Sequence, residues 1–345
     1  MRILLWRTGA YGDCLITTPL IRYLHKQGHD IFYVTNARGE EVMKNNPHIF
    51  KLLNNDESVK NEDLGKHMEW LKKKHNCERI IDLNESIECA LSQHPRSPNY
   101  KLPKILRIAR FNRNFYEYCF EHAGESWEGA DLKPELFFDK DESYKVYIDK
   151  DKNGKEIYEQ HTAREYIKND KFNVLVGLSG SGTNKAYPWM MDLCNSIMKD
   201  YPNVHLITVG DVRCQLLENS IEDGNITKLA GNIPMRMSME LTSLVQLVIS
   251  PDTGLLHASG CYDTPKIGIL GHTTKEMITK YFKNDFSLEA DSDLAPCSPC
   301  SFMIYSMQLQ CPLNPVTKSS ICLADGQPLQ RSYDRFQTVY EQFKK

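Results

Sequence analysis

"MRILLWRTGAYGDCLITTPLIRYLHKQGHDIFYVT", residues 1–35, reads as one β-α-β unit. Arg2-Ile3-Leu4-Leu5-Trp6 is an unbroken apolar run of strand length, followed by a turn at Thr8-Gly9-Ala10-Tyr11-Gly12-Asp13. From Cys14 to Gln27, Ile16, Leu20 and Leu24 recur on one helical face. Gly28 is a natural helix stop, and "IFYVT" (Ile31 to Thr35) is the next strand. Pro19 means that this helix either kinks there or begins again, with Thr18 as N-cap and Pro19 in the first turn. Either way, Gly12 and Asp13 stay at the carboxyl end of the strand, where open α/β sheets hold their ligands.

The alternation continues outward. "NEDLGKHMEWLKKKH" is a helix leading into the strand "RIIDL", and the stretch ending at Gly124 is mostly helical. The charged run "DKDESYKVYIDKDKNGKE" reads as a solvated connector. The β-α pattern then restarts with "FNVLVGL" and runs through "VHLITVG", "ITKLA", "LVIS" and "KIGIL", with helical segments between. The expected organisation is therefore α/β, with one Rossmann-like domain over 1–165, a second over 166–330 and a closing helix over 331–345. The length of 345 residues suits two such domains. A net charge of −3 excludes a protein that grips nucleic acid by bulk charge, though a local basic groove stays open. Thr8-Gly9 interrupts the N-terminal apolar run too early for a signal peptide, and no run approaches the roughly 20 residues that span a bilayer. The expected compartment is the cytoplasm, where the eleven cysteines are reduced thiols or metal ligands.

Three loops at strand ends carry chemistry. In "RTGAYGD", Gly9 and Gly12 lack the order of a dinucleotide fingerprint. Asp13 either caps the helix or accepts a proton from a substrate hydroxyl. In "GLSGSGTNKAYPWM", the hydroxyls of Ser179, Ser181 and Thr183, the amides of Gly180 and Gly182, and the charge of Lys185 suit a phosphate or diphosphate. In "ISPDTGLLHASG", Asp252, Thr253 and Gly254 stop a buried strand and open a helix, with His257 one turn later. The turn is either ordinary capping or an anion-binding helix start. Two anion-ready loops in one domain favour a shared diphosphate site.

These blocks, together with "ISPDTGLLHASGCYDTPKIGILG" and the "HTTKE" that follows, resemble glycosyltransferase family 9, the ADP-heptose-dependent heptosyltransferases. The resemblance is specific at G-D-x-x-x-T-T-P and D-T-G-x-x-H. It implies two Rossmann-like domains facing a cleft (the glycosyltransferase B fold), an inverting reaction and no catalytic metal. Carried over residue by residue, it makes Asp13 the general base and Lys185 the cation that steadies the leaving diphosphate. Gly12, Ser181, Thr183, Asp252, Thr253, Gly254 and His257 join Lys185 in holding the donor. Asp211 falls where the family has a glutamate near the nucleotide, and Met235 near the adenine pocket.

Cys297, Cys300, Cys311 and Cys322, within a Cys-rich loop over 297–322, give C-x2-C-x10-C-x10-C. That spacing suits a tetrahedral thiolate site for structural zinc or iron, with incidental cysteines as the alternative. It resembles the metal-binding finger of autotransporter heptosyltransferases, which glycosylate protein. The reading is an inverting transfer of a heptose from an ADP-heptose-like donor to a hydroxyl acceptor such as lipopolysaccharide core. Protein or a modified DNA base are the alternative acceptors, and a non-catalytic sugar-nucleotide binder is the alternative class. Homo-oligomerisation is left open.

Overall fold

Ile3, Leu4, Leu5 and Trp6 of strand β1 (Arg2–Trp6) are all fully buried. The strand therefore needs cover on both faces, as the central strand of a parallel sheet has. Its neighbours are β2 (Asp30–Thr35) and β4 (Arg79–Asp82), with β3 (Lys51–Asn54) beyond β2. All pairings are parallel and the order is β3-β2-β1-β4. The computed structural model describes residues 1–55, 59, 61–91, 102–302, 311 and 319–344. The chain divides into one unit of Met1–Leu91 and Arg113–Asp139 and a second of Ser92–Asn112 and Lys140–Lys345, where the sequence placed the joint near residue 165.

The helix after β1 is two helices, Tyr11–Ile16 and Thr18–Lys26. The break falls at Thr17, whose hydroxyl and amide both donate to Cys14 O. Pro19 then sits in the first turn of the second helix, where its missing N–H costs nothing. Thr17, not Thr18, is the residue at the N-cap position.

In the second unit, β7 (Phe172–Gly177), β8 (Val204–Val209), β9 (Ile226–Lys228), β10 (Leu247–Pro251), β11 (Lys266–Leu270) and β12 (Leu288–Glu289) form one parallel sheet. Its order is β9-β8-β7-β10-β11-β12, so the chain runs one way from β7 and then returns to the other side of it. This is the doubly wound order, and the reversal lies between β7 and β10. Side chains alternate between two cores. Val174, Val176 and Ile249 pack with the helices Met190–Asp200 and Leu329–Phe343. Leu175 and Val248 pack with Met237 and Leu241 on the other face.

That second face corrects the reading of the charged run as a connector. Residues 143–162 form an antiparallel hairpin, β5 (Ser143–Lys150) and β6 (Glu156–Thr162). Asp151 Oδ1 accepts the Asn153 and Lys155 amides to close the turn. Tyr144 and Val146 point into the core while Ser143 and Lys145 are exposed. The charge belongs to the exposed surface of a ribbon that is anchored to the core by Tyr144 and Val146.

Gly39 marks the tightest approach in the first unit. A Cβ there would collide with Thr35 Oγ1 and lie 2.8 Å from Thr35 Cβ and 2.9 Å from Cys14 Sγ. The helix Ala37–Met43 thus sits against the end of β2 and the first helix with no room for a methyl. Gly39→Ala is expected to destabilise the protein by about 1–3 kcal/mol, the usual cost of overpacking, read as a lower urea midpoint. An unchanged midpoint would mean that this packing is loose.

Candidate functional site

The reversal between β7 and β10 brings two loops together at the carboxyl edge of the sheet. Asp252, which follows β10, is 5% exposed. Lys185 Nζ lies 3.6 Å from Asp252 Oδ2, and His257 Nε2 lies 3.8 Å from Oδ1. His272 Nε2 is 3.6 Å from Oδ2, and Thr273 Oγ1 donates to Oδ2 at 3.3 Å. Burial works against the charge on Asp252. Lys185, His272, His257 and the Thr273 hydroxyl outweigh it and hold the carboxyl down at about 2. Asp252 is therefore an anion through the neutral range.

Lys185 is brought there by a loop that folds on itself. Gly180 N–H donates to Lys185 O and Lys185 N–H to Gly182 O. A Cβ on Gly180 would lie 2.6 Å from Lys185 Cβ and 3.1 Å from Thr253 Cγ2, so this glycine is what lets the two loops touch. Ser181 is exposed on that loop and Thr183 is half-buried. Thr253 sits extended at the N-cap of the helix Gly254–Ser259, and its side chain does not cap the turn. Its hydroxyl lies 3.0 Å from Ser250 Oγ instead. Lys185, Asp252, Thr253, Gly254 and His257 are thus gathered at one edge. An ammonium and uncapped helix amides on that edge can receive an anion.

Asp211 stands just past β8 at the same carboxyl edge, exposed and paired with Arg213 at 2.8 Å. Met235 opens the helix Met235–Leu244 and is half-buried. In the first unit, Gly12 is buried in the first helical turn, and Asp13 is at its third position, with Oδ2 accepting the Ala10 amide at 2.8 Å. Gly9, at φ +134°, is the glycine that this carboxylate requires, since a Cβ there would lie 2.7 Å from Oδ2. Asp13 Oδ1 lies 3.2 Å from the buried Arg7 guanidinium.

Sequence reasoning missed His272 and Thr273. They follow β11, the next strand after β10, so the recurring pattern of a polar turn after each apolar strand was their signal. It also missed Arg7, a charge inside an apolar strand-to-turn junction.

The cysteines lie in the second unit. Cys297, Cys300 and Cys311 are half-buried and Cys322 is buried. Burial pushes the Cys300 thiol up to about 12, and Cys297 and Cys311 add to it. Burial also raises Cys322 well above its ordinary range, with the other three contributing. The four thiols therefore share one neighbourhood, yet among the described residues no group of three or more His, Cys, Asp or Glu is arranged to hold a metal ion. Residues 303–310 and 312–318 of the Cys-rich loop lie outside the described residues. The segment braces the anion edge: Asn184 Nδ2 donates to Phe302 O, Ser301 N–H to His272 O, and Trp189 Nε1 to Ala324 O.

Two doubly wound units with ligand edges define a fold of the glycosyltransferase B type, and solved structures agree. The chain matches E. coli ADP-heptose lipopolysaccharide heptosyltransferase II with a TM-score of 0.65 and 12% identity, covering 100% of each chain. A glycosyltransferase family 9 structure from Veillonella parvula matches with a TM-score of 0.66 and 13% identity, covering 99% of this chain and 97% of that one. The iron-containing dodecameric glycosyltransferase TibC of enterotoxigenic E. coli matches with a TM-score of 0.61 and 10% identity, over 99% and 78%. Residues 136–303 match the family model of glycosyltransferase family 9 (heptosyltransferase), so the resemblance read from the sequence is borne out over the segment that carries the anion edge. No curated protein matches the chain in sequence. Among the described residues, no helix is long and apolar enough to cross a membrane.

His272 sets a pH dependence. Burial pushes it down to about 4, against the pull of Asp252, so it is neutral at pH 7 and its approach to Asp252 is then a polar contact. The unfolded chain takes up this proton near the ordinary value of 6.5, whereas the folded chain resists until about 4. Stability is therefore lost as pH falls through that window. Urea midpoints at pH 7, 5.5 and 4.5 should fall less steeply in His272→Gln than in the parent. Equal slopes would show that His272 does not titrate differently on folding.

Proposed function

We propose that the protein is an inverting glycosyltransferase that moves a sugar, a heptose, from an ADP-heptose-like donor to an acceptor hydroxyl such as that of a lipopolysaccharide-core sugar. The observation that carries this is the gathering of Lys185, His257 and the uncapped turn Thr253-Gly254 around buried Asp252, at the strand reversal of a doubly wound sheet. A nucleoside diphosphate is the anion that such an edge suits. The family match over 136–303 adds sugar transfer to that reading. Heptosyltransferase II and TibC, whose folds this chain shares, are by their names heptosyl- and glycosyltransferases, which directs the choice of donor.

In this reading the acceptor oxygen attacks the anomeric carbon from the face opposite the diphosphate. Its proton passes to Asp13, the bond from the anomeric carbon to the diphosphate oxygen breaks, and the electron pair leaves on the diphosphate. Lys185 and the Thr253-Gly254 turn neutralise the charge that grows there. Asp252 holds Lys185 and His257 in place without touching the reacting atoms. Asp211 and Met235 take the nucleoside, and Ser181 and Thr183 offer hydroxyls to the phosphates. No metal takes part in the displacement.

Cys297, Cys300, Cys311 and Cys322 would hold one zinc or iron ion, whose four thiolates leave no open position and whose part is to order the segment bracing Asn184 and His272. A reducing cytoplasm, which keeps cysteines as thiols or metal ligands, is the compartment that goes with this reading.

Asp13→Asn is expected to bind ADP as the parent does in calorimetric titration and to lose about 10²–10⁴-fold in transfer. Lys185→Ala should weaken ADP binding and slow transfer together. Near-normal transfer by Asp13→Asn returns Asp13 to capping, and unchanged ADP affinity in Lys185→Ala moves the diphosphate elsewhere. Elemental analysis of protein purified without chelator should give about one zinc or iron per chain, and metal-free protein would leave the cysteines incidental.

A further inference from the structure

The first unit has a strand reversal of its own, between β1 and β4, and the loops after these strands meet there. Arg7, just past β1, is 1% exposed. Its Nη1 donates to Leu83 O at 2.7 Å and to Glu88 Oε2 at 3.1 Å. Its Nη2 donates to Glu88 Oε1 at 2.7 Å and stands 3.2 Å from Asp13 Oδ1. Thr8 ties the same two loops, its amide and its hydroxyl both donating to Asn84 Oδ1. The fork of the guanidinium is thus spent on Glu88, and Asp13 has only a longer side contact. Both carboxylates stay about a quarter open to solvent, at 28% for Asp13 and 24% for Glu88.

An arginine that faced Asp13 alone would place a full cation on the base and weaken it, because a nearby positive charge favours the ionised carboxylate. A second carboxylate on the same guanidinium cancels much of that field and fixes the fork in one plane. We propose that Glu88 is a positioning residue for Asp13, acting through Arg7 to orient the guanidinium and to preserve the proton affinity of the base. This rests on Asp13 being the base of the proposed reaction.

Other groups around this cluster do not supply the same charge. Cys119, on the helix Phe115–His122, is coupled to Arg7, Glu88 and Asp13, but burial pushes its thiol up to about 12. Cys14, next to Asp13 on its own helix, is pushed up to about 11 by burial. Tyr33 on β2 is raised well above its ordinary range, again by burial. All three are neutral at pH 7. From the helix Ala37–Met43, Arg38 and Glu41 act on Tyr11, with opposite signs. Glu88 is the anion that balances Arg7 against Asp13 among the described residues.

The test uses the full chain labelled with [4-13C]aspartate, with the Asp13 signal assigned by its loss in Asp13→Asn. Titrated from pH 7 down to the lowest pH at which the chain stays folded, that signal in Glu88→Gln should be displaced toward acid relative to the parent, because removing a nearby negative charge favours the ionised carboxylate. Glu88→Asp keeps the charge and should stay within a few tenths of a pH unit. The acid limb of donor hydrolysis should move with the signal. An unmoved signal in Glu88→Gln overturns the proposal, as does a Glu88→Asp that moves equally far, since packing alone would then explain both. Should Glu88→Gln fail to fold, Glu88→Ala takes its place as the charge-removing variant: a displaced signal supports the charge role and an unmoved one overturns it. Full turnover by Asp13→Asn, in contrast, overturns the base reading while leaving the measured coupling intact.

Discussion

Asp252 is a carboxylate buried to 5% exposure that stays ionised, and the anion edge of the second unit depends on that charge. A buried anion is tolerable only when paired. Here its partners come from three different loops: Lys185 after β7, His257 on the helix after β10, and His272 after β11. One charge therefore sets the relative positions of three strand ends. Gly180 allows the closest of these approaches, and the Cys-rich segment props two of the loops from behind through Phe302 and Ser301.

The two units share a winding order around their first strand and put different chemistry at the reversal. In the second unit the edge carries a lysine and helix amides, suited to an anion. In the first unit the edge carries two carboxylates on one buried arginine, suited to managing a proton. The displacement proposed for this protein needs both functions, a base for the acceptor and positive charge for the leaving group.

Much of this was legible in residues because it lies in short-range pattern. The apolar runs of β1, β7, β10 and β11 and the polar turns after them announce a parallel sheet and its ligand edge. Lys185, Asp252 and His257 are found because glycines and a helix start surround them. Less legible were features set by tertiary contact. The hairpin β5–β6 was hidden because only Tyr144 and Val146 of its charged sequence face the core. β3 is four residues long, with only Leu52 and Leu53 apolar. Glu88 carries no local signature, and the polar turn after β11 marks His272 only as one of several such turns: each matters because strand order brings it beside another loop. Thr17 took the helix break because its hydroxyl folds back onto Cys14 O, which proline statistics alone do not reveal.

The central claim is that a nucleoside diphosphate occupies the edge between β7 and β10. Amide hydrogen exchange on the full chain, with and without ADP, tests it directly. The account predicts slowed exchange in two segments, residues 179–186 and 253–257, with the hairpin at 143–162 unaffected. Unchanged exchange in both segments at saturating ADP, or protection confined to another part of the chain, would contradict it.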